Sequence, residues 1–307
     1  MQIGFVGLGR MGANMVHRLR RDGDHGVVAF DPNEQARRSV EEYGATTVGS
    51  LAELAPQLSA PRAVWMMVPS GKITEQTLDG LLATLERGDT IVDGGNSNWH
   101  DTVERAKRCA QAGIAYVDAG TSGGVWGLTV GYCLMVGGDT DAVERLRPIF
   151  ETLAPPGGFL HVGPAGSGHY VKMVHNGIEY GMLQAYAEGF DILHASQQFP
   201  ALDLHAVAHL WNQGSVVRSW LLELAERAFE KDPQLSELRG WVDDSGEGRW
   251  TIDEAMNLSV PAPVLVLSLM ARYQSRQPDG FGNRVIAALR NEFGGHAVKS
   301  EDKGPPA

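Results

Sequence analysis

Cysteine is scarce in this chain: Cys109 and Cys133 are the only two among 307 residues, and neither forms a CxxC pair or a Cys/His spacing that holds a metal. The options are a disulfide or reactive thiol, or two free thiols in a reducing compartment, and so low a count favours the second. Long apolar runs are missing too. The longest, over residues 262–271, is about half of what a membrane span requires. Met1-Gln2-Ile3-Gly4-Phe5-Val6 runs straight into a strand-like segment, without the charged and apolar regions of a secretory leader. Positive charge is short as well, 26 Lys and Arg against 37 Asp and Glu, for a net charge of −11. Nucleic acid and anionic membranes both need a basic face, so neither is expected as a partner, and the cytoplasm is the expected location. The chain carries no internal repeat and no low-complexity segment.

What is present is ample apolar material. With 43% hydrophobic residues the chain can fill two packed domains, since single cores rarely grow much past ~250–300 residues. Strand-like segments over 3–6, 27–30, 63–68 and 90–93 alternate with helical patterns over 11–21, 35–43, 74–85 and 101–112. Further strands are expected over 115–118 and 133–136. Repeated βα units of this kind build a doubly wound, mostly parallel sheet. Beyond Gly163-Pro164-Ala165-Gly166 the pattern turns helical: a long run over 167–196, then segments around 204–229, 251–259, 264–274 and 283–291. Pro200, Pro233, Pro261, Pro263 and Pro278 punctuate them. The predicted class is therefore α/β: a parallel-sheet domain over 1–164, an all-helical domain over 165–298 and a mobile tail over 299–307.

Gly7-Leu8-Gly9-Arg10-Met11-Gly12 is a GxGxxG, following a strand and opening a helix. Gly7 allows the tight turn, Gly9 lets backbone approach a pyrophosphate, and Gly12 lets helix and strand pack closely. The bare N–H groups and dipole at the helix start favour phosphate. This is a Rossmann-type dinucleotide site. Asp31 ends the second strand, where a carboxylate accepts from both ribose hydroxyls and repels a 2′-phosphate, so NAD is expected, with NADP as the alternative. The competing role for Asp31 is to cap the next helix. Val68 and Pro69, after the third strand, lie where the nicotinamide half passes.

Chemistry is expected on the long helix. Lys172, Asn176, Glu179 and Tyr180 are spaced i, i+4, i+7 and i+8, and so project from one face of an otherwise apolar helix. Lysine and glutamate are costly there unless paired or used. A structural Lys–Glu pair is the bland alternative. Two loops complete a pocket: Asp93-Gly94-Gly95-Asn96-Ser97 and Asp118-Ala119-Gly120-Thr121-Ser122-Gly123-Gly124. Both follow strands, and ligands of open α/β sheets bind outside the carboxyl ends of strands. Arg249, Arg284, Arg290 and His296 add cations in an acidic chain, and arginine forks match phosphate.

Together these residues resemble the 6-phosphogluconate dehydrogenases over essentially the whole chain. The resemblance is carried by Gly94-Gly95-Asn96, by Ser122-Gly123-Gly124 and by Lys172-Met173-Val174-His175-Asn176-Gly177-Ile178-Glu179-Tyr180. Gly246-x-Gly248-x-Trp250-Thr251 and Arg290 with Phe293-Gly294-Gly295-His296 extend it. Val125-Trp126-Gly127, the short length and Asp31 look like the family's shorter, NAD-preferring branch. The resemblance implies that Lys172 is the base for the 3-hydroxyl of 6-phosphogluconate and Glu179 the acid for the enediol. It implies that Asn96, His175 and Asn176 orient hydroxyls, that Ser122, Gly123 and Gly124 hold the carboxylate, and that Tyr180, Arg249 and Arg284 bind phosphate. Arg290 and His296 would enter a second subunit's site, making a homodimer, or a pair of dimers, the working form. No metal is implied. Arg249 departs from the lysine of the longer relatives, and their extra C-terminal helices are absent. Two rivals remain: another β-hydroxyacid dehydrogenase of the 3-hydroxyisobutyrate type, and a nucleotide-sensing protein that has lost chemistry.

Overall fold

The computed structural model describes residues 1–277 and 280–294. Among these, eight strands form one sheet: β1 (Gln2–Val6), β2 (Gly26–Phe30), β3 (Thr46–Thr47), β4 (Ala63–Met66), β5 (Thr90–Asp93), β6 (Ala115–Ser122), β7 (Cys133–Gly137) and β8 (Phe159–Gly163). Their order is β3-β2-β1-β4-β5-β6-β7-β8, and every neighbouring pair is parallel except β6 and β7. The connections hold α1 (Arg10–Asp22), α2 (Glu34–Glu41), α3 (Lys72–Leu82), α4 (Trp99–Gln111), α5 (Gly127–Val130) and α6 (Thr140–Leu153). After β8 come α7 (Ser167–His194), α8 (Leu204–Asn212), α9 (Trp220–Lys231), α10 (Glu247–Asn257), α11 (Pro263–Ser275) and α12 (Phe281–Gly294).

Strand residues alternate between two apolar layers, as the period of two requires. Ile3, Phe5, Val27, Trp65 and Val92 join a cluster with Met15 and Leu19 of α1 and Leu146 and Phe150 of α6. Val6, Val28, Val64, Met66 and Ile91 join another with Leu78 and Leu81 of α3 and Cys109 of α4. Both faces of the sheet are covered, so its strands read as continuous apolar runs. Each fully buried Val, Leu, Ile or Phe contributes roughly 1.5–3 kcal/mol.

Both cysteines are free, one buried and one exposed. Burial pushes the Cys109 thiol up to about 12. Native protein at pH 8 is expected to show one fast-reacting thiol per chain, Cys133, and two after denaturation. Two fast thiols in the native protein would contradict the buried position of Cys109.

The structure corrects the sequence reading in several elements. The run expected over 204–229 is two helices, because the backbone reverses through Gly214 and Ser219 starts α9 as its N-cap. β3, β8 and α6 were not foreseen: β3 is two residues long, β8 is only half buried, and α6 carries Pro148 inside it. β6 runs on to Ser122, because residues beyond Asp118 gain an antiparallel partner in β7. The tail over 299–307 lies outside the described residues.

The chain divides into two compact units, 1–178 with 247–257, and 179–246 with the chain from 258 on. The division falls inside α7 and not at 164, because the first half of that helix docks on the sheet. Gly168 lacks a Cβ where one would lie 2.4 Å from the Met135 carbonyl oxygen and 2.7 Å from that of Asp118. A Cβ on Gly120 would lie 2.5 Å from Cβ of Lys172. The second unit has its own core, in which Phe190, Leu204, Ala208, Leu222 and Phe229 meet.

Candidate active site

The glycine turn joins β1 to α1 as expected. Gly7 sits at φ +93°, and a Cβ there would come within 2.3 Å of the Met67 carbonyl oxygen. A Cβ on Gly12 would come within 2.0 Å of the Gly7 carbonyl oxygen. A Cβ on Gly9 would meet nothing within 4 Å, so the chain leaves room there for something else. No side chain caps α1 and no acidic residue occupies its first turn, so the N–H groups beside Arg10 and Met11 face an uncancelled dipole. Asp31 loses one of its two readings, that of helix cap. Its Oδ2 accepts from the Leu8 N–H at 2.8 Å, tying the end of β2 to the turn, while the cap of α2 is Asn33, which accepts from Gln35 and Ala36 N–H. These features fit a dinucleotide: a side-chain-free cradle for the pyrophosphate and a carboxylate fixed against the turn. Val68 and Pro69 follow β4, and Thr74 of α3 donates to the Pro69 carbonyl at 2.9 Å.

Asn96 is exposed on the loop after β5, and a buried network underlies it. The Asp93 carboxylate accepts from the Tyr116 hydroxyl and the Ser97 hydroxyl, both at 2.8 Å, and from the Gly95 N–H at 3.1 Å. Arg105 donates to Ser97 at 2.9 Å and to Glu75 at 2.7 Å. Burial, then the Asp93 charge, holds the Tyr116 phenol well above its ordinary value, so it remains a donor. The Gly94-Gly95-Asn96 loop is therefore held from below by a fully satisfied carboxylate.

Ser122, ending β6, and the first half of α7 meet. Ser122 Oγ lies 3.4 Å from His175 Nε2, and His175 Nδ1 lies 2.9 Å from Asn176 Oδ1. The tautomer protonated on Nδ1 satisfies both contacts, donating to Asn176 and accepting from Ser122. Gly123 and Gly124 continue the loop at φ +131° and +52°. Asp118 fixes the start of α7, accepting from Gly166 N–H at 2.7 Å and His169 N–H at 2.8 Å, and Thr102 meets His169 Nδ1 at 2.7 Å. The helical spacing delivers its result: Lys172, Asn176 and Tyr180 are 7%, 8% and 5% exposed, and Glu179 is half-buried.

In the second unit the Tyr180 hydroxyl accepts from the Ser245 N–H at 3.1 Å and lies 3.4 Å from Ser245 Oγ. The cation over its ring is Arg272, 3.4 Å from the centroid, which also donates to the Asp243 carbonyl at 2.8 Å. Sequence reading passed over Arg272 and Ser245. The signal was helical period: Ser268 and Leu269 of α11 are buried, and Arg272 stands one turn further on that face. Arg249 is exposed on α10, and Arg284 and Arg290 are exposed on α12. His296 lies outside the described residues. Among the described residues no group of three or more His, Cys, Asp or Glu is placed to hold a metal ion, and no helix is long and apolar enough to cross a membrane.

Comparison with known proteins covers both halves. Residues 2–163 match the profile of the NAD binding domain of 6-phosphogluconate dehydrogenase, and residues 168–290 that of the 6-phosphogluconate dehydrogenase C-terminal domain. A Bacillus subtilis protein, YqeC, whose name marks it as a candidate 6-phosphogluconate dehydrogenase, is 46% identical over 98% of this chain and all of its own. A Haloferax volcanii protein named as an NAD(+)-dependent, decarboxylating 6-phosphogluconate dehydrogenase is 45% identical over 98% of this chain and 100% of its own. Among solved structures, the Plasmodium falciparum 6-phosphogluconate dehydrogenase superposes with a TM-score of 0.82 at 26% identity, covering 99% of this chain and 67% of that one.

Proposed function

The chain belongs to the 6-phosphogluconate dehydrogenase family, and on that footing we propose that it oxidatively decarboxylates 6-phospho-D-gluconate to ribulose 5-phosphate and CO₂, reducing NAD. The observation that carries this reading is the pair Lys172 and Asn176, buried one turn apart on α7, with His175 anchored to Ser122 in the unit that also holds the Asp31-braced glycine turn. NAD, when bound, would supply the hydride acceptor for C3. The turn Gly7-Leu8-Gly9-Arg10-Met11-Gly12 and Asp31 would hold its pyrophosphate and ribose, with Val68, Pro69 and Asn96 toward the nicotinamide.

Lys172 accepts the proton of the 3-hydroxyl, while Asn96, His175 and Asn176 orient the substrate and Ser122, Gly123 and Gly124 hold its carboxylate. In the 3-keto acid the ketone takes up the electron pair of the breaking C–C bond as CO₂ leaves, and Glu179 protonates the enediol. Tyr180, with Arg272 over its ring and Ser245 at its hydroxyl, would bind the phosphate, a role also proposed for Arg249 and Arg284. Residues 1–164 would hold the dinucleotide and lend Asn96 and the loop over 122–124 to the substrate, and 165–298 would supply the rest of the substrate site and a homodimer, in which Arg290 and His296 reach the partner's site. The reading includes a cytoplasmic location, supported by the low cysteine count.

The test is formation of reduced nicotinamide from 6-phosphogluconate, expected to be faster with NAD than with NADP. Turnover of 3-hydroxyisobutyrate but not of 6-phosphogluconate would overturn the assignment. Asp31→Ala is expected to cut the NAD preference by about tenfold, the loss of one hydrogen-bonded charge contact. An unchanged ratio would leave Asp31 as a brace for Leu8 alone.

A further inference from the structure

Glu247 breaks the rule that this chain's other buried carboxylates obey. Asp89, Asp93 and Asp118 are 1% exposed or less, and each accepts two or more hydrogen bonds. Glu247 is 2% exposed, and neither of its carboxylate oxygens has a hydrogen-bond partner. Among the described residues it is the only buried carboxylate left so. An unsatisfied buried acceptor is destabilising, the more so when charged, so each one calls for an explanation: strain, a functional role, or a bound water, ion or ligand.

Its position lies beside the helix that carries the proposed chemistry. Glu247 is the first residue of α10, and that helix is fastened to α7 one turn later. Thr251 Oγ1 donates to the Met173 carbonyl at 2.7 Å and contacts the Glu247 carbonyl oxygen at 2.8 Å. The missing Cβ of Gly177 makes room for it, since a Cβ there would lie 2.6 Å from Thr251 Cγ2. The first turn of α10 therefore lies along the stretch of α7 between Met173 and Gly177. Lys172 and Asn176 each precede one of these residues, so they stand on the adjoining face of α7, about 100° round the helix. All of these residues belong to the first unit.

An ionised carboxylate only accepts, so its partner must donate. It repels the phosphate and carboxylate of a sugar acid, which leaves the hydroxyls. We propose that Glu247 is a substrate-binding residue: its carboxylate is kept without a protein partner so that hydroxyls beyond the reacting carbon of the sugar acid donate to it. This rests on the reading of the substrate given above. It also supplies a specificity device, because a site built to bond hydroxyls discriminates against analogues that lack them. A short hydroxy acid such as 3-hydroxyisobutyrate would leave Glu247 buried and unpaired.

The experiment uses the full-length protein with Glu247→Met, which keeps the volume and removes the acceptor, and Glu247→Gln, which keeps one acceptor oxygen. Readouts are KM for 6-phosphogluconate and for NAD, and Tm with and without 6-phosphogluconate. Glu247→Met is expected to raise the 6-phosphogluconate KM about ten- to a hundredfold, the worth of a hydrogen bond to a charged group, with Gln intermediate and the NAD KM within about twofold. Tm without substrate is expected to stay or rise, since an unpaired buried charge is gone, while the shift given by 6-phosphogluconate shrinks. A 6-phosphogluconate KM within about twofold of wild type in both variants overturns the proposal. So does a fall in substrate-free Tm with both KM values rising together, the mark of a structural role. So does a wild-type KM that depends on replacing sodium by tetramethylammonium, the mark of a cation site. Wild-type protein that binds NAD but not 6-phosphogluconate defeats the functional reading itself, whereas wild-type turnover with indifferent variants defeats only the role of Glu247.

Discussion

Lys172→Met is expected to lower turnover of 6-phosphogluconate by about 10³-fold, within the usual range for loss of a positioned general base, and to leave NAD binding nearly intact. Methionine suits the site because Lys172 is packed along its stem: its Cβ lies where the absent Cβ of Gly120 leaves room, and the residue is 7% exposed. The substitution keeps that stem and removes the amine. Single-turnover measurement with NAD titration separates the outcomes. Lost chemistry with an unchanged NAD dissociation constant supports the base. Lost NAD binding would mean that Lys172 holds the helix on the sheet and does no proton transfer.

Gly168→Ala is expected to destabilise the protein strongly for so small a change. Its new Cβ would lie 2.4 Å from the Met135 carbonyl oxygen, 2.7 Å from the Asp118 carbonyl oxygen and 2.8 Å from the Gly137 nitrogen. All three are backbone atoms of β6 and β7 and cannot rotate aside, so α7 must shift or the strands must. Overpacking of this kind costs about 1–3 kcal/mol or more. For a protein of this size that is a Tm drop of roughly 2–5 °C or more, measurable by calorimetry. Because Lys172 stands one turn further on α7, kcat should fall with it, while the NAD affinity of the distant glycine turn should hold. A variant as stable and active as wild type would show that the docking of α7 on the sheet is looser than these contacts imply.

How far the chain could be read differs between its parts. The GxGxxG turn was legible because its requirements are local: a strand end, a backward turn and a helix start lie within a few residues. The buried face of α7 was legible because a helix repeats, and Lys172, Asn176 and Tyr180 fell where the period put them. Arg272 was legible only as a residue on the buried face of α11, with Ser268 and Leu269; its meeting with the Tyr180 ring, on a helix remote in sequence, leaves no pattern in either. Glu247 was not legible, since the lack of a partner has no sequence signature. Asp31 stood between: of the two roles that the sequence left open, the structure removes the cap, which Asn33 provides, and shows Leu8 N–H on one carboxylate oxygen.

By itself, then, the sequence determined the layers, the glycine turn, and the line of polar side chains along α7, because each follows from the period of one element or the geometry of one turn. Tertiary structure alone decided the antiparallel step at β7, the docking of α7 through Gly120 and Gly168, the cation at Tyr180 and the solitary carboxylate of Glu247. Those depend on which segments meet once the chain has closed on itself. Such meetings are set by packing and by the satisfaction of buried polar groups, to which every element contributes and which no single stretch encodes.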